Sequence, residues 1–191
     1  MTETSRGAHA AGMERYSEFV ARVLRVDSLL RKLVPDDILD RELWREVVAA
    51  DDAKLAGDAK MKPKEFALVR GGLLYALDDL DGCHRIFQDV TSDLGSYWHG
   101  MMHRREGDFD NARYWFRRAG ALPVFGHLHG DVADFSPDMS RQSSWDPYLF
   151  TGMCEQARHG AEDDRAELPR LQRAEFDELF DYSWRQALAA A

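Results

Sequence analysis

The chain has 191 residues and a formal net charge of −9, and 45% of it is hydrophobic, including five Trp, ten Phe and six Tyr. That length and composition are enough to bury a core without disulfide or metal support. The acidic balance argues against general binding of nucleic acid or of an anionic membrane surface, which would need a basic face.

Residues 1–12 are small and polar, lack the apolar centre of a signal peptide, and read as a frayed tail. Residues 13–191 read as one α-helical domain. From residue 13 to 34, Tyr16, Phe19, Val20, Val23, Leu30 and Leu33 form a one-sided stripe that Pro35 ends. Asp40 is placed to cap a short helix carrying Leu43, Trp44 and Val47. The polar run 51–64 reads as a loop. Helical stretches follow at about 65–77 and 81–90, then at about 94–106 and 108–120, each pair joined by a short turn. Residues 121–145 hold Pro123, Gly126, Gly130 and Pro137 and read as a long irregular loop. Residues 146–190 return to helix, with Asp146-Pro147 as a start signal and Leu171, Phe176, Leu179, Phe180 and Trp184 on one side of the last segment. No segment alternates as a strand does, so the class is all-α.

No apolar run approaches the roughly 20 residues that span a bilayer. Cys83 and Cys154 lie far apart and form no CxxC, as in a cytoplasmic protein whose thiols stay reduced and pack as small apolar residues.

The segment SYWHGMMHRREGDFDNARYWFRRAG, residues 96–120, has small residues for close helix contact in Gly100 and Ala112, a turn at Gly107 and six aromatics for burial. It resembles a tetratricopeptide repeat and equally a Sel1-like repeat. The resemblance rests on Gly100, the turn Gly107-Asp108-Phe109-Asp110, then Ala112, Phe116 and Ala119, with Pro123 beyond. An earlier copy aligns Gly71, Leu80-Asp81, Cys83, Phe87 and Val90, offset by about 29 residues against a usual 34. The resemblance implies antiparallel helical hairpins over 65–120 with capping helices at both ends. It also implies a scaffold that binds a protein or peptide partner in a groove, lined here by Leu68, Tyr75, Tyr97, Met101 and Arg104. On this reading no cofactor is needed.

Two features are left over by that reading. His99 and His103 are one helical turn apart and share a face with Glu106, half of a shell for zinc or iron. His127, His129 and Asp131, in the 125–136 part of the expected loop that would close over the site, are candidates to complete a divalent-metal site, giving a hydrolase-type enzyme that activates water. The same two histidines are also candidates for acid–base catalysis, or for structural roles bonded to Asp108, Asn111 or backbone carbonyls. Arg104, Arg105, Arg113, Arg117 and Arg118 form a basic island in which Arg113 and Arg117 share a face. They could clamp a small anionic ligand or pair with Glu106, Asp108 and Asp110. Cys83-His84 is adjacent on a helix, which turns the two side chains apart and gives no nucleophile pair.

Overall fold

The structure is a computed structural model that describes residues 13–159 and 166–188; the expected N-terminal tail lies outside these residues. Among them the chain is all-α. After a 3-10 turn at Met13–Arg15 come α1 (Glu18–Leu24), α2 (Arg41–Ala49), α3 (Asp52–Ala56), α4 (Pro63–Ala76), α5 (Leu80–Phe87) and α6 (Asp93–Glu106). They are followed by α7 (Phe109–Ala119), α8 (Phe125–Ala133), α9 (Pro137–Ser140), α10 (Pro147–His159) and α11 (Glu167–Ala187). The lone extended pairing among the described residues is an isolated bridge between Met61 and Leu188.

Most starts are written in the sequence as caps. Ser17, Asp40, Asp51, Asp79, Ser92, Asp108 and Ser136 each accept a backbone N–H of the following turn, and Pro63, Pro137 and Pro147 open their helices. The α6–α7 turn needs Gly107 at φ 80°, a left-handed position natural to glycine.

Three expectations are corrected. The first stripe is not one helix to Pro35: α1 stops at Leu24, and Leu30 sits at φ 61°. Leu29 and Leu30 stay buried, and the freed carbonyls of Leu30 and Lys32 accept from Gln172 Nε2 at 2.8 and 2.9 Å. The polar run 51–64 contains the short helix α3, which buries Leu55 and Ala56. The interval 121–145 is not irregular. It holds α8 and α9, because Phe125, Leu128 and Val132 recur at helical spacing and all three are buried.

Helices α4 and α5 pack as one antiparallel hairpin and α6 and α7 as a second, with α5 against α6 between them. Close approach is set by glycine: a Cβ on Gly71 would meet the Phe87 ring at 2.4 Å, and one on Gly100 the Phe116 ring at 2.7 Å. Helix α11 lies across α4 and against α8 and α10. Its Leu171, Phe176, Leu179, Phe180 and Trp184 are buried in the same core as Phe66, Tyr75 and Trp98. Burying each of these large side chains is worth about 1.5–3 kcal/mol, so α11 is part of the core and not an accessory cap.

Candidate metal centre

The hairpin packing brings three imidazoles together. His99 and His103 project from one face of α6, and His84, near the end of α5, meets them from the neighbouring helix. Ring centroids lie 4.7 Å apart for His99–His103, 4.8 Å for His84–His99 and 5.1 Å for His84–His103. One nitrogen from each ring lies within 4.8 Å of the other two. Tetrahedral zinc holds imidazole nitrogens at about 2.0–2.1 Å, which sets them about 3.3 Å from one another. Trp115 of α7 stacks on the far side of His99 at 3.9 Å and 20°.

His99 is the buried member of the cluster that has no polar contact. It is 3% exposed, and neither ring nitrogen has a hydrogen-bond partner. A neutral imidazole carries one N–H donor and one lone pair, and each buried polar atom left unsatisfied costs roughly 1–3 kcal/mol. Burial, reinforced by His103 and then His84, pushes its pKa down to about 3. The ring is therefore neutral near pH 7, the state that ligates metal.

His103 is buried and has polar partners: its Nδ1 lies 2.9 Å from Glu106 Oε2, and Asn111 Nδ2 lies 3.1 Å from its Nε2 and 3.4 Å from its Nδ1. His84 is half-buried, so the centre reaches solvent on the α5 side. Three imidazoles leave a tetrahedral ion one position for water or substrate.

The loop ligands expected from sequence do not join this centre. His127 is 70% exposed and pairs on the surface with Glu178 at 3.0 Å and Asp131 at 3.5 Å. Glu178 also meets Arg185, and burial raises its carboxyl pKa. His129 Nε2 lies 3.1 Å from the Met139 carbonyl, joining α8 to α9. These contacts follow from the helical form of α8, which carries both histidines to other neighbours.

The expected partner groove is also corrected. Tyr75, Tyr97, Met101 and Arg104 are at most 1% exposed, and Leu68 is buried beside them. The chain's own α11 fills the space: Tyr97 donates to Glu175 Oε1 at 2.7 Å, and Arg104 forms an ion pair with Glu175. Of the basic island, Arg105 is buried and pairs with Asp78, while Arg113 pairs with Glu155 and Asp110. Arg117 is exposed on α7, and Arg118 lies over the Trp115 ring. The structure thus brings His99 and His103 together, while Arg113 is held by Glu155 and Asp110 and Arg117 stands exposed.

His84 is the residue that reading the sequence missed. Judged with Cys83 alone, it looks turned away from its neighbour. The available signal was the hairpin itself: α5 carries Cys83 and Phe87 inward, and His84 lies beside them on the side facing α6. No family model, curated protein or solved structure matches the chain.

Proposed function

We propose that the chain is a helical metal-binding protein, whose centre of His84, His99 and His103 takes a divalent transition ion of the zinc type. The carrying observation is His99, a buried neutral imidazole with both nitrogens unpartnered, aimed among two further imidazoles. Imidazole suits zinc, copper, nickel and iron, and the absence of thiolate from the set argues against a closed sulfur-rich structural site. An ion held by three histidines lowers the pKa of a bound water to about 7. Hydrolytic water activation is the chemistry that such a centre makes available.

The repeat resemblance supports a second reading, a module for a protein or peptide partner. That reading lacks its expected surface, because Tyr97, Met101 and Arg104 are packed on α11. The metal reading rests on a defect that packing alone leaves unexplained.

The test is elemental analysis after loading the purified chain with zinc and dialysing it. About one ion per chain is expected. Both His84→Ala and His99→Ala should lose it while keeping the helical circular dichroism of the parent. A parent chain that retains no zinc, cobalt or nickel above the level of His99→Ala overturns the proposal.

A further inference from the structure

Around His103 the two ring nitrogens are treated differently. Nδ1 faces the carboxylate of Glu106, one turn on in α6, at 2.9 Å. A carboxylate accepts and does not donate, so this contact holds the proton of neutral His103 on Nδ1. Nε2 is then the lone pair. The Asn111 amide nitrogen lies 3.1 Å from Nε2 and 3.4 Å from Nδ1, so it rests over the ring and leaves that lone pair open. Glu106 does not belong to the set of nitrogens that converge with His84 and His99. Its place is behind His103, as a carboxylate that orients a ligand, and not in the shell itself.

Resting on the metal reading above, we infer that Glu106 is a positioning residue for the centre. Glu106 fixes the His103 tautomer and ring angle that present Nε2 to a metal. Replacing carboxylates behind ligating histidines typically costs about 10–100-fold in metal affinity.

The experiment titrates zinc against a chromophoric chelator at fixed pH, using the full chain, Glu106→Gln and Glu106→Ala. The Glu106 variants should bind about 10–100-fold more weakly, Ala more so than Gln, which keeps an acceptor. Nitrogen-15 shifts of His103 in the metal-free chain give the readout that a general loss of packing would not move: Nδ1–H dominates in the parent, and the tautomers mix in Glu106→Ala. Zinc binding by the Glu106 variants within twofold of the parent overturns the inference and leaves the centre standing. So does tighter binding by the Glu106 variants. A parent that binds no zinc overturns both.

Discussion

Arg104 of α6 and Glu175 of α11 form an ion pair in which neither side chain is more than 1% exposed. Tyr97 donates to the same carboxylate, Trp145 Nε1 donates to the Tyr97 hydroxyl at 2.7 Å, and the guanidinium lies 4.3 Å from the Phe150 ring centroid. Breaking a buried pair from one side leaves an uncompensated charge and costs about 3–5 kcal/mol. Glu175→Gln should therefore lower the unfolding free energy measured in urea by that amount, at unchanged m-value. Arg104→Met combined with Glu175→Gln should be less damaging than Glu175→Gln alone, because the stranded charge is gone. A double variant at least as unstable as the single one would show that shape, and not charge pairing, governs this contact.

The α6–α7 contact predicts the effect of filling its glycine. In Gly100→Ala the added carbon meets the Phe116 ring at 2.7 Å and the Ala112 carbonyl oxygen at 3.2 Å. Alanine favours helix by about 1 kcal/mol, whereas overpacking costs about 1–3 kcal/mol. The Ala112 carbonyl is backbone of the facing helix and moves only with it, so the clash wins. Thermal denaturation should show net destabilisation, and a stabilised variant would mean that the hairpin opens without strain.

Cys154 gives an alkaline prediction. Burial, partly offset by nearby Arg104, raises its thiol from an ordinary 9.0 to about 12. Below pH 9 the thiol is neutral in both folded and unfolded chains, and its contribution to stability is fully present. Between about pH 9 and 12 the unfolded chain releases this proton and the folded one does not, so stability falls as pH rises. Cys154→Ala should flatten that part of the stability profile. Cys83 is also buried, with its thiol pKa raised well above the ordinary value. Both thiols should resist a disulfide reagent at pH 8 until denaturant is added.

What the sequence discloses divides along a physical line. Local signals were legible: Asp40 and Asp146 as caps, the glycines and alanines of 96–120 as close contacts, and the stripe of α11. The end of α1 was not, because Leu30 takes a left-handed conformation whose reward is the distant amide of Gln172. Helix α8 was hidden behind Pro123, Gly126 and Gly130. Yet a Cβ added at Gly126 or Gly130 would meet nothing within 4 Å, so these two glycines sit on the open face of the helix and do not break it. The centre was half legible. The spacing of His99 and His103 is a property of one helix, whereas His84 reaches them through the packing of α5 on α6, which no local pattern contains. The groove misread has the same origin, since the occupant comes from far downstream: Glu175 reaches Arg104 across a separation of 71.

Helix α11 also sets when the protein can become native. Trp184 meets Tyr16 at 5.1 Å and Phe66 at 6.2 Å, Ser183 accepts from Trp98, and Gln172 bonds to the carbonyls of Leu30 and Lys32. On a ribosome the first hairpins emerge with these partners still unmade, so their apolar faces stay open until translation has passed residue 184. Long-range closure of this kind is slow and exposes the chain to aggregation in the interval. Nascent chains halted before α11 should accordingly be the ones that engage chaperones.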